Sequence, residues 1–151
     1  MDDRLNSMMI WNNAKNFFEA AQILHKEKQD IFFPTYFLLA QSIELSLKGL
    51  LRGTGASEKD LKNLGHDLNK ALQEAEKRLQ SLANISHEDK EIVDLLNVYY
   101  KSKDLQYTLT GYKRLPIIDK VFDIAKKLID GTKVHCRQNR KQHFGKPTAV
   151  L

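Results

Sequence analysis

A chain of 151 residues, 42% hydrophobic and 28% charged, has the balance of one soluble globular domain and the length to bury a core of its own. Its single cysteine, Cys136, excludes an internal disulfide, which fits a reducing compartment. The net charge of +5 is confined to the end of the chain: Lys133, Arg137, Arg140, Lys141 and Lys146 face no acid after residue 132, and the other 19 Lys and Arg balance the 19 Asp and Glu.

Apolar residues recur with helical period along the whole body, and no strand alternation persists. A first helix is expected from about Ser7 to Lys28, with Ile10, Ala14, Phe17, Ala21 and Leu24 on one face. Pro34 suits a helix start, where its missing N–H costs nothing, so a second helix is expected from Pro34 to Leu51, ended by Gly53 and Gly55. A short helical turn follows from Ser57 to Leu64. A third helix runs from about His66 to Leu82, with Leu68, Ala71, Leu72, Ala75, Leu79 and Leu82 inward. Ser86 is placed to cap a fourth, from His87 to Lys101. Residues 102–114 read as a polar connection. Pro116 opens a fifth helix, and Gly131 is expected to end it. Residues 133–151 lack apolar periodicity and read as a basic, mobile tail. The expectation is an all-α, up-and-down antiparallel bundle of about five helices over residues 1–132.

The second helix is apolar on nearly every side yet carries Glu44 and Lys48 one turn apart. Ionised groups in such a segment are costly unless paired. They form either a buried structural pair or part of a groove that binds a nucleotide or RNA. Gly65-His66-Asp67-Leu68 then opens the third helix. Asp67 lies where the helix dipole favours a carboxylate. His66 either fixes the loop or serves as a general acid or base. Farther on, Tyr107, Tyr112, Lys113 and Arg114 mix aromatic rings with positive charge in a loop. That mixture stacks bases and holds phosphates, or else closes the end of the bundle.

The text Ser42-Ile-Glu44-Leu-Ser-Leu47-Lys48-Gly-Leu50-Leu51 followed by Gly65-His66-Asp67-Leu68 resembles the HEPN family of small α-helical bundles over about residues 16–129. The resemblance implies a homodimer and a binding role toward a nucleotide, RNA or a partner protein. It also implies a place beside nucleotidyltransferase-type proteins in toxin–antitoxin or other defence systems. Ribonucleases of that superfamily resemble one another in an Arg-x(4–6)-His motif, and Arg137 with His143 satisfies its spacing. There the histidine draws a proton from the ribose hydroxyl and the arginine stabilises the phosphorane. Since this pair falls beyond the expected last helix, a non-catalytic role is the favoured expectation and a metal-independent endoribonuclease the alternative. Trp11, Phe32, Phe33 and Tyr36 exceed what a small bundle buries and are expected to support dimerisation.

His135, Cys136 and His143 lack a fourth ligand and a known metal spacing, and no cofactor or metal is expected. The Met1-Asp2-Asp3-Arg4 start does not read as a signal peptide, and no apolar run reaches the length of a membrane span. A cytoplasmic protein without membrane attachment is expected.

Overall fold

Side chains near the start of most helices accept the N–H groups that have no carbonyl within the helix. In this computed structural model the described residues are 6–107 and 110–144, with side chains described through Cys136. Asn6 accepts from the N–H groups of Met8 and Met9 and starts α1 (Ser7–Glu27). The next helix, α2 (Phe32–Gly53), has no side-chain cap; Pro34 occupies its first turn, where an N–H would have no partner. Reciprocal Ser–Asp capping boxes open α3 (Glu58–Leu64), through Ser57 and Asp60, and α5 (His87–Lys101), through Ser86 and Asp89. Asp67 caps α4 (Leu68–Arg78). A four-residue α6 (Asp104–Tyr107) and a long α7 (Ile118–Phe144) complete the described chain. Five principal helices and two short ones make an all-α bundle.

Several boundaries differ from expectation, among them those of α2, which begins two residues before Pro34 and takes in Gly53. The third principal helix is two residues shorter at its start and stops at Arg78 rather than Leu82. Residues 102–114 are not all connection, because α6 forms within them and buries Leu105. The last helix does not end at Gly131. It passes through that residue and continues to Phe144, so the residues read as a separate tail begin as its continuation. Gly131 is there for close approach. A Cβ at this position would lie 2.4 Å from Ala83 Cβ and 3.0 Å from Ala83 Cα. The 79–86 connection, with Ala83 and Asn84 both at positive φ, crosses over this gap.

The central helix is α2, which touches every other helix. Two of its faces explain its unusual sequence. Ser42, Ser46 and Gly49 form a narrow small-residue face, and beside Gly49 lie Cys136 Sγ, Ser7 O and Trp11 N. There α1 and α7 press close. Trp11 Nε1 donates to Ile129 O at 2.8 Å, and Ser7 Oγ to Cys136 O at 3.3 Å, tying the start of α1 to the far part of α7. On the opposite side, Phe33, Phe37, Glu44 and Lys48 recur at helical spacing toward α4–α6.

Directions follow from the contacts. Antiparallel pairing joins α4 to α5 (Asp67 with Asn97, Glu76 with Lys90) and α5 to α7 (Asp89 with Lys127). By contrast, α2 and α7 run side by side in the same sense. Tyr36 near the head of α2 donates to Pro116 O at 2.6 Å, ahead of α7, and Gly53 at the end of α2 approaches His135.

The aromatics expected to support a dimer divide. Trp11 and Tyr36 are buried inside the chain, 4% and 6% exposed, with their polar atoms bonded. Phe33 is half-buried, and of the four only Phe32 is largely exposed. Among the described residues, no helix is long and apolar enough to cross a membrane.

Candidate functional site

Glu44 is the hub. Its side chain is only 4% exposed, and three groups converge on it. Lys48 Nζ, one turn on, lies 3.2 Å from Oε2. Tyr100 donates its hydroxyl to Oε1 at 2.8 Å from the end of α5. His66 Nδ1 lies 2.7 Å from the same oxygen. A carboxylate only accepts, so Nδ1 carries the proton and the ring presents Nε2 away from Glu44. The imidazole is 58% exposed; its ring stands edge-on to Tyr100 at 6.0 Å.

Two further contacts fix the turn that carries His66. Lys48 Nζ also donates to Gly65 O at 2.7 Å. Gly65 itself has φ 57°, a conformation that glycine enters without steric cost. The Glu44–Lys48 pair is thus a buried structural pair and, through His66, the support of an exposed group.

Asp67 makes a second cluster. Oδ1 accepts from Lys70 N at 3.1 Å and Asn97 Nδ2 at 3.0 Å, while Asn97 Oδ1 accepts from Leu68 N at 2.9 Å. Lys101 Nζ reaches Oδ2 at 3.2 Å. Burial alone would raise the Asp67 carboxyl, but these hydrogen bonds and the Lys101 charge outweigh it and hold the group below the usual carboxylate range. Tyr100 is moved the other way. Burial, then the Glu44 charge, push its hydroxyl far above the ordinary tyrosine value. Its proton is committed to Glu44.

Lys113 and Arg114 are anchored to the bundle. Lys113, 12% exposed, lies 3.4 Å from Asp104 Oδ1 and 5.7 Å from the Phe33 ring centroid. The Arg114 N–H donates to the Tyr99 hydroxyl. Between these anchors and the chain before them, Tyr112 is 95% exposed and Tyr107 64%.

The structure therefore brings Glu44, Lys48, His66 and Asp67 into one neighbourhood, with Tyr112, Lys113 and Arg114 farther along the same side of α2. Sequence reasoning missed Tyr100, Asn97 and Lys101. They lie within about one turn of α5 and meet Glu44 and Asp67 only through tertiary packing, so no local signal marks them. Arg137 and His143 lie on the helical backbone of α7, but their side chains are outside the described residues. Cys136 is fully buried, and burial pushes its thiol up to about 12, which disfavours the nucleophilic thiolate. Among the described residues, no group of three or more His, Cys, Asp or Glu is placed to hold a metal ion.

A model of the HEPN domain matches residues 8–133, from the first turn of α1 to just past the middle of α7. The chain belongs to the HEPN family. No curated protein and no solved structure matches it. The matched span includes Glu44, Lys48, His66 and Asp67 and stops before Arg137 and His143. The hub and its supports lie within the matched span.

Proposed function

We propose that this HEPN domain binds a phosphate-bearing ligand, a nucleotide or RNA, at the His66 end of α4, without breaking a covalent bond. The observation that carries the reading is an exposed imidazole whose orientation is fixed by a buried carboxylate. Glu44 holds Nδ1, Nε2 is turned away from it, and Lys101 stands over the adjoining Asp67. Support against catalysis comes from the neighbours. Lys48 is taken by Glu44 and Gly65 O, and Tyr100 keeps its proton on Glu44. Among the described residues, no second acid–base group stands beside the imidazole to complete a proton relay. Family membership supports a wider setting for this role, as the recognition component of a toxin–antitoxin or defence pair that works as a homodimer beside a nucleotidyltransferase-type partner.

The test is calorimetric titration of the full chain with AMP. Binding in the wild type that weakens at least tenfold in His66→Ala, with the thermal transition retained, is the expected result. Equal binding by the variant, or none by either protein, refutes the reading.

One observation favours a second reading, a metal-independent endoribonuclease. The helix α7 continues through Arg137 and His143, so both positions lie on a helix rather than beyond one. Cleavage of single-stranded RNA in the presence of a chelator, abolished in both Arg137→Ala and His143→Ala, would establish it.

A further inference from the structure

The contacts of His66 suit a nucleophile as well as a hydrogen-bonding group. A neutral imidazole that keeps its proton on one nitrogen has a lone pair on the other. Glu44 Oε1 lies 2.7 Å from Nδ1, so the lone pair is on Nε2, the nitrogen farther from the main chain. The orientation is fixed from beneath, because Tyr100 at 2.8 Å and Lys48 at 3.2 Å hold the carboxylate in turn. Access is open. The ring is 58% exposed, and a Cβ at Gly65, the residue before it, would meet nothing within 4 Å. His25 and His87 are arranged the other way round. They turn Nε2 toward a carboxylate, Asp119 at 3.9 Å and Glu91 at 3.3 Å, and both of those acids are exposed to water. The nitrogen left over in each is Nδ1, crowded by the attachment of the ring to its own main chain.

Resting on the reading that the Nε2 side of His66 meets phosphates, we propose that His66 is a phosphorylation site. It takes a phosphoryl group from a phosphoramidate or acyl phosphate donor, and the modification closes the nucleotide site. Nε2 attacks phosphorus with its lone pair. The N–P bond forms as the bond from phosphorus to the leaving group breaks, and that electron pair departs with the amine or carboxylate. The attacking ring is neutral and keeps its proton on Nδ1, so the phosphorylated ring is a cation. Glu44 puts a buried negative charge against that proton. A carboxylate in this position orients the imidazole and stabilises the imidazolium that forms. A bound nucleoside monophosphate stays intact, because its alkoxide is a poor leaving group. Nucleotide binding and phosphorylation are thus alternative uses of one nitrogen. The phosphoryl group brings negative charge to the place where the ligand's phosphate would lie, and like charges repel. Lys101, on the adjoining Asp67 and 62% exposed, offers the counter-charge.

The test is incubation of the full chain with potassium phosphoramidate at neutral pH. Mass spectrometry of alkaline digests locates the modified histidine, and phosphorus NMR identifies the nitrogen. The protonated amine of the reagent leaves as ammonia with its own hydrogens, so the protein supplies no proton. His66 is expected to react at Nε2 at least about tenfold faster than His87. Access alone gives the opposite order, since the His87 side chain is 87% exposed. Glu44→Gln is expected to slow His66 about tenfold or more and to leave His87 unchanged. A melting curve checks that this variant is folded, and the comparison within the wild type stands without it. The phosphorylated protein is expected to lose its affinity for AMP. Reaction of His66 no faster than that of His87, or at Nδ1, overturns the proposal; if AMP affinity still depends on His66, the nucleotide reading stands without the modification. Fast reaction that leaves AMP affinity unchanged overturns the closing of the site. Fast reaction in a protein that never binds AMP keeps the phosphorylation site and overturns the nucleotide reading.

Discussion

Replacing Glu44 by Gln keeps the shape of the side chain and removes its charge, which isolates the electrostatic role of the hub. Three interactions change. The Tyr100 hydroxyl loses a charged acceptor in a buried setting, where hydrogen bonds to charged groups contribute about 1.5–3 kcal/mol. Lys48, whose side chain is 13% exposed, loses its counter-charge but keeps Gly65 O. Breaking a buried pair typically costs about 3–5 kcal/mol, and the retained carbonyl and partial exposure place this case below that range. The His66 contact is discounted, because its ring is 58% exposed and screened, to at most about 1 kcal/mol. Against these losses, the amide has no buried carboxylate to desolvate. The expected net destabilisation is about 2–4 kcal/mol. For a chain of this size that lowers the melting temperature by very roughly 4–16 °C. Urea unfolding followed through Trp11, the single tryptophan and a buried one, is a suitable assay. A double-mutant cycle with Tyr100→Phe is expected to show coupling of about 1 kcal/mol or more. A loss below about 0.5 kcal/mol for Glu44→Gln, or strict additivity in the cycle, would refute the claim that the buried carboxylate organises this end of the bundle.

Two more perturbations test the packing. Gly131→Ala improves intrinsic helix propensity by about 1 kcal/mol but drives a methyl into Ala83, so net destabilisation of about 1–3 kcal/mol is expected. Ala83→Gly removes the 2.4 Å contact and the cost of the positive φ but leaves the tight approach to the residue 83 Cα, so chemical denaturation of the pair should show it partly rescuing Gly131→Ala; no rescue at all would mean that α7 does not pass beneath residue 83 as described. Cys136 tests burial through pH. Its folded thiol is pushed up to about 12 from an ordinary value near 9. The unfolded chain therefore releases the proton first, and stability is fully present below pH 9 and lost progressively as pH rises toward 12. The difference is worth about 4 kcal/mol at most. Cys136→Ala is expected to flatten the stability–pH curve in that window, and a thiol reagent should label wild type only after denaturation; labelling of the native chain at the unfolded rate would contradict the buried position.

The helices were legible in the sequence because local signals agreed with the tertiary outcome. Ser86 caps α5, which runs from His87 to Lys101 as expected. Gly131 shows where such signals fail. A glycine late in an apolar-periodic segment reads as a terminator, but it also permits close approach, and only the position of residues 79–86 separates the two. Ala83 and Asn84 at positive φ carry no sequence mark of what they cross. The short α6 was hidden for a similar reason. Four residues have no period to detect, and Leu105 is helical because it is covered, not because its neighbours favour helix.

The site was half visible: Glu44 and Lys48 on α2 and His66 and Asp67 at the head of α4 were legible, whereas Tyr100, Asn97 and Lys101 on α5 were not. Glu44 and Lys48 stand out in sequence because charge is rare in so apolar a segment. The same ten residues carry a second message, the small face of Ser42, Ser46 and Gly49 that admits α1 and α7. Interleaving the two at helical spacing explains why the text is distinctive and why, by itself, it specifies a fold before it specifies an activity. A buried carboxylate is a poor source of stability when a well-packed apolar side chain of similar size would serve. Here it does something an apolar side chain does not: it sets the tautomer and direction of His66, holds the Tyr100 proton and, through Lys48, anchors the Gly65 turn. An apolar replacement such as Glu44→Leu is therefore expected to separate the two roles, leaving the bundle folded while His66 loses its fixed orientation. The affinity for AMP should then fall toward that of His66→Ala. If affinity survives in Glu44→Leu, the exposed imidazole needs no orienting carboxylate, and the hub is structural alone.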